Sequence, residues 1–85
     1  MENVTGLILV VDDEAAIRQA LSRMLARQGH TVVEAETLDQ ARGLLTSESV
    51  DLAIIDWHLN GESGMDLIKF LKRNDPSVES ILMTA

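Results

Sequence analysis

The sequence has no cysteine, a single proline and only two aromatic residues, Trp57 and Phe70. Without cysteine there is no disulfide framework and no zinc–thiolate site, which fits a reducing compartment. With so few aromatics the core must come from Leu, Ile, Val, Ala and Met, and at 46% apolar residues there are enough to build one. Basic residues are also scarce, seven against fourteen acids, for a formal charge of −7. That balance argues against nucleic acid or an anionic membrane as a partner of this segment, and suits a cation or a basic partner. No apolar run approaches the roughly 20 residues of a membrane span. The run Leu7–Val11 is too short, and too soon followed by acids, to be a secretory signal. A cytoplasmic location is the expectation that remains. The 85 residues allow one small domain.

What is present is pattern. Asp51-Leu52-Ala53-Ile54-Ile55-Asp56 is an apolar run bracketed by aspartates, and such continuous runs mark strands covered on both faces of a parallel sheet. Leu7-Ile8-Leu9-Val10-Val11 is a second run of this kind and leads straight into Asp12-Asp13-Glu14. Ile17, Ala20, Leu21, Met24 and Leu25 then recur at helical spacing, predicting a helix with that stripe inward and Arg18, Gln19, Ser22, Arg23 and Arg27 outward. Gly29 is placed to end it.

Residues 31–33 predict a short strand, and Thr37 with Gln40 forms a capping box opening a second helix, with Leu38, Ala41, Leu44 and Leu45 inward. Residues 57–63 read as a polar loop. A third helix is expected over 64–73, with Leu67, Ile68 and Leu71 inward and Asn74-Asp75-Pro76 ending it. Residues 81–84 predict a last strand. The order β-α-β-α-β-α-β calls for a parallel sheet with right-handed crossovers. The last strand is apolar throughout and wants cover and a neighbour. The pattern therefore predicts a piece of a longer α/β domain, or one completed by another chain.

Parallel strands end at one edge, so Asp12 and Asp13 should gather with Asp56. Three carboxylates in one pocket repel, and without a cation at least one pKa rises. Mg²⁺ resolves this, since it takes a few carboxylates plus waters and phosphate oxygens. With no cysteine and at most one histidine, His58, the pocket suits Mg²⁺ rather than zinc. Plainer readings exist for each acid: Asp12 and Asp13 as helix caps, Asp56 as a cap or turn residue. Their joint occurrence at matching strand ends favours the metal. Thr84 ends the last strand at the same edge, either offering a hydroxyl to an anion on Asp56 or serving as a plain strand residue. His58 reads as a ligand, a base or a solvated loop residue. Trp57 reads as a partly buried loop anchor whose N–H can face the pocket, and Glu14 and Glu62 as surface acids.

The runs from Leu7 to Glu14 and from Asp51 to Asp56, then Gly64, then Ile81-Leu82-Met83-Thr84-Ala85, stand in the order and spacing of a known family. Over essentially its whole length the chain closely resembles the receiver domain of two-component response regulators. The resemblance implies one receiver over residues 1–85, with a doubly wound, flavodoxin-like α/β fold and strand order 2-1-3-4. The fourth helix and the fifth βα unit would be absent, and with them the family's lysine and its dimerisation and output face.

By the same resemblance, Asp56 is the phosphoacceptor, served by a sensor histidine kinase or a phosphotransfer protein. Asp13 and Asp56 would bind Mg²⁺ directly, with the His58 backbone carbonyl as a third ligand and Asp12 acting through water. Thr84 would be the switch hydroxyl, and the N–H groups of Trp57 and Ala85 would hold the phosphoryl group. A receiver assists its own phosphotransfer and dephosphorylation and is not a conventional enzyme. Asn60 stands where the family usually has proline, which should loosen the loop without touching the chemistry. One rival reading is a half-receiver acting as an interaction module without phosphotransfer, either self-associating as a homodimer through its unpaired last strand or pairing with a full receiver. Another is an aspartyl-nucleophile phosphohydrolase of the haloacid-dehalogenase type, but His58 stands where that family wants a second acid.

Overall fold

A computed structural model describes residues 6–83; Thr84 and Ala85, expected to supply the switch hydroxyl and a phosphoryl-binding N–H, lie outside the described residues. The chain runs β1 (Leu7–Val11), α1 (Ala15–Arg27), β2 (Thr31–Ala35), α2 (Leu38–Ser47), β3 (Leu52–Asp56), β4 (His58–Leu59), β5 (Glu62–Ser63), α3 (Gly64–Asn74) and β6 (Glu79–Met83). The two apolar runs pair at the centre of a four-stranded parallel sheet of order β2-β1-β3-β6. This is the expected 2-1-3-4 order, with β6 as its fourth strand. β4 and β5 form a separate two-stranded antiparallel ribbon where the sequence predicted only loop.

Alternation along the central strands splits the core between the two faces. Leu9, Val11, Ala53 and Ile55 pack with Leu38, Ala41 and Leu45 of α2 and Leu67 and Leu71 of α3. Ile8, Val10 and Ile54 face the other way, toward Leu21 and Leu25 of α1. One helix thus covers one face and two cover the other, so Ile81 on β6 is left 51% exposed.

The inward face of α1 differs from the predicted stripe. Leu21 and Leu25 do pack inward, but Ile17 and Met24 are exposed, as is Ala20. Ser22, expected on the outside, is buried, and Arg18 is half-buried. Both polar side chains bring their own partners into the interface, which removes most of the cost of burying them. The Ser22 hydroxyl donates to the Arg18 carbonyl one turn back at 2.8 Å. The Arg18 guanidinium donates to Glu34 at 3.0 Å and to the Asp12 carbonyl at 2.8 Å.

The predicted helix ends are present. Gly29 follows α1 at φ 93°, with its N–H on the Ala26 carbonyl. The Thr37 hydroxyl accepts from the Gln40 N–H, while the Gln40 side chain accepts from the N–H of Glu36, one residue before the cap.

Candidate functional site

The site follows from strand register. Val11 lies opposite Ile55 across the β1–β3 pairing, so the next residues, Asp12 and Asp56, leave the sheet side by side. Carboxylate oxygens of Asp12, Asp13 and Asp56 all lie within 4.8 Å of one another. The three expected acids are therefore brought together.

Asp12 is 2% exposed. Its N–H extends the β1–β2 pairing by bonding the Ala35 carbonyl at 3.1 Å. Its carboxylate accepts the Glu14 N–H at 2.9 Å. Glu14 is the N-cap of α1, and no side chain caps that helix. The carboxylate thus braces the turn into α1 instead of capping the helix, which sets aside the capping alternative for Asp12. Burial raises its pKa above the ordinary carboxylate value. The Glu14 N–H opposes that shift, the Asp56 and Asp13 carboxylates add to it, and the Arg18 guanidinium opposes it.

Asp13 and Asp56 are half-buried. One oxygen of Asp13, Oδ2, accepts the backbone N–H of Asn60 at 3.0 Å. Asn60 and Gly61 turn the β4–β5 ribbon with φ of 48° and 84°. The expected loop is therefore a two-residue hairpin, closed at the position where the family usually has proline. Asn-Gly between short strands was the available signal, being a strong two-residue hairpin pair. Arg18 was also missed beside the site, because its spacing marked it as a solvated face.

The other candidates fall as follows. The Trp57 N–H, assigned by resemblance to a phosphoryl oxygen, donates here to the Met83 carbonyl at 2.8 Å, prolonging the β3–β6 pairing. Trp57 is 38% exposed, so most of its surface is covered, in keeping with the partly buried loop anchor expected. The His58 side chain is exposed at the start of β4, and Glu14 and Glu62 are exposed as expected. The Trp57 carbonyl accepts the Gly64 N–H at 2.8 Å. Ser63 caps α3 by accepting the Met65 N–H at 3.2 Å.

The clustered side-chain donors are all carboxylate oxygens, with no imidazole or thiolate among them. That set fits Mg²⁺, a hard cation with oxygen ligands, and does not fit zinc. A half-exposed carboxylate beside such a cation can act as a nucleophile toward an electrophile carrying negative oxygens.

A doubly wound parallel sheet whose carboxyl edge carries an all-carboxylate pocket defines a class of open α/β domains with their site at the strand ends. Within that class, the family model for the response regulator receiver domain matches residues 8–85, and this chain belongs to that family. The phosphate regulon transcriptional regulatory protein PhoB of Pseudomonas aeruginosa is 40% identical over 80 residues, 92% of this chain and 35% of that protein. The chain thus spans about a third of the length of such relatives. The response regulator TrrA of Thermotoga maritima, solved in complex with Mg²⁺ and BeF, is similar with a TM-score of 0.89 at 34% identity, over 94% of this chain and 70% of that one. A Burkholderia pseudomallei response regulator with a phosphorylated aspartic acid, a calcium ion and citrate has a TM-score of 0.88 at 32% identity, over 93% and 46%.

Proposed function

We propose that this chain is the phosphoacceptor receiver of a two-component system. Asp56 takes a phosphoryl group from the phosphohistidine of a sensor kinase or phosphotransfer protein, with Mg²⁺ bound, and the ensuing switch controls an output. The observation that carries this reading is the convergence of Asp12, Asp13 and Asp56 within 4.8 Å at the carboxyl edge of a receiver fold.

In this reading Asp13, Asp56 and the His58 carbonyl hold Mg²⁺, and Asp12 acts on it through water. The metal supplies neutralisation of charge on the phosphoryl oxygens. A carboxylate oxygen of Asp56 attacks phosphorus, forming an O–P bond as the N–P bond to the donor histidine breaks. The electron pair of that bond stays with the imidazole nitrogen. The end of β3, paired with Met83 on one side and abutting Asp12 on the other, holds the nucleophile in place. Thr84 and the Ala85 N–H hold the new phosphoryl group. The Trp57 N–H joins them by sharing or leaving its bond to Met83. The chain assists its own phosphorylation and dephosphorylation, turns over no separate substrate, works in the cytoplasm, and contacts no nucleic acid through this segment. The outer edge of β6, unpaired among the described residues, is the edge through which a homodimer would pair.

The test is intact mass before and after incubation with a small-molecule phosphodonor and Mg²⁺. The parent protein gains one phosphoryl group and Asp56→Asn gains none. Labelling retained in Asp56→Asn, or absent from the parent, overturns the proposal.

A further inference from the structure

Asn60 is the one residue other than glycine with positive φ among the described residues. It and Gly61 supply two successive left-handed residues between the paired couples His58–Ser63 and Leu59–Glu62. Two such residues make the type I′ turn that matches the twist of a hairpin, and Asn-Gly adopts it at low cost. The ribbon is tied down at both ends. Leu59 is 1% exposed in the main core, and the Gly64 N–H bonds the Trp57 carbonyl. A hairpin anchored in this way presents the Asn60 N–H in a fixed direction. That direction is Oδ2 of Asp13, 47 residues away in sequence, at 3.0 Å.

We propose that Asn60 is a positioning residue of the acidic site: its backbone N–H, presented by the left-handed Asn60-Gly61 turn, fixes the Asp13 carboxylate for Mg²⁺. The inference rests on the receiver reading and adds to it a part specific to this chain. A carboxylate offers about four lone-pair sites, so one N–H on Oδ2 orients Asp13 and leaves Oδ1 for the cation. Asp13 leaves the chain in a turn, where an unrestrained side chain would lose rotamer freedom on binding the metal; the Asn60 N–H imposes that restraint beforehand. The donor belongs to the backbone, so the property depends on conformation at position 60 and not on the amide side chain. Proline there has no N–H and a φ near −65°. It removes both the donor and the geometry that aims it.

The experiment compares the full-length protein with N60G and N60P in Mg²⁺ titrations, read by the fluorescence of the single tryptophan, Trp57, and by calorimetry. N60G keeps both the N–H and the left-handed turn, so it should match the parent. N60P should bind Mg²⁺ about tenfold more weakly, the scale for loss of an outer partner of a metal ligand. An N60P affinity equal to that of the parent overturns this inference and leaves the receiver reading standing. A parent that binds no Mg²⁺ overturns both. If N60P does not fold, amide exchange in the metal-free protein decides: the Asn60 N–H should exchange slowly in the parent and quickly in D13A. Equal rates in the two proteins overturn the inference.

Discussion

Gly64→Ala is the substitution whose consequence the structure fixes most tightly. Gly64 is buried where α3 starts beneath the end of β3, and its φ is not left-handed, so alanine is conformationally allowed and the whole effect is steric. A Cβ there falls well inside contact distance of the Asp56 carbonyl oxygen, 3.0 Å from Ile55 Cγ2 and 3.1 Å from the Asp56 carbonyl carbon. Two of these atoms are backbone of Asp56, the proposed phosphoacceptor, which pairs with Met83 in the sheet and cannot rotate away. Overpacking of this kind costs about 1–3 kcal/mol, and contact with backbone puts it near the top of that range. Alanine's better helix propensity returns up to about 1 kcal/mol, leaving a net loss of about 2 kcal/mol. At 4–8 °C per kcal/mol for a domain of this size, the melting temperature should fall by about 8–16 °C. Thermal unfolding by circular dichroism reads that fall, and phosphorylation measured alongside should slow, because relief comes only by moving the end of β3. A G64A protein that melts with the parent and is phosphorylated at the parent's rate would show that α3 backs away freely, and the steric reasoning would fail.

Two further substitutions probe charge and core. Asp12 is held above the ordinary carboxylate pKa in the fold, first by burial and then by the neighbouring acids. The folded state therefore keeps its proton to higher pH than the unfolded chain does. Stability from this group is present below the unfolded value of about 3.9 and is lost as pH rises through the raised folded value. Metal-free D12N should thus be more stable than the parent at neutral pH, with the advantage gone in acid and Mg²⁺ stabilising the parent more; denaturant titrations at several pH values test this, and an equal or lower neutral-pH midpoint for D12N refutes it. Leu67 is fully buried under β3, so L67A should cost about 2–5 kcal/mol. Urea unfolding should show a lower midpoint at unchanged slope, and a loss under 1 kcal/mol would mean that α3 collapses to fill the space.

Much of the fold could be read in the letters, because continuous apolar runs and one-sided stripes report burial directly. β1 and β3 are such runs, and α2 and α3 turn the residues their periodicity names onto the core, with Leu44 and Ile68 only partly buried. The stripe on α1 failed because spacing counts Ser22 and Arg18 as surface residues. A hydroxyl bonded to its own helix and a guanidinium shared between Glu34 and the Asp12 carbonyl can both turn inward. β6 begins at Glu79, earlier than expected, because Glu79 and Ser80 pair by backbone with Leu52 and Ala53 at the sheet edge. Polarity does not report backbone pairing. The β4–β5 ribbon was hidden for a similar reason, since strands of two residues are too short to carry a period.

The site divides along the same line. That Asp12, Asp13 and Asp56 meet was legible, because parallel register alone delivers them to one edge. What holds them was not legible, because the holders are backbone N–H groups, those of Glu14 for Asp12 and of Asn60 for Asp13. The choice of holder matters electrostatically. Among the described residues the ion pairs are Arg18–Glu34 and Arg42–Asp39, and neither includes a carboxylate of the cluster. Arg18 reaches the carbonyl of Asp12 and not its carboxylate. A lysine or arginine on these acids would neutralise them and compete with the metal. Backbone dipoles fix their geometry while leaving most of their charge uncompensated; the pKa of Asp12 is raised first by its burial and then by the Asp56 and Asp13 carboxylates, against the lowering effect of the Glu14 N–H. On the receiver reading, that uncompensated charge, already oriented, is what would draw a divalent cation to this edge of the sheet.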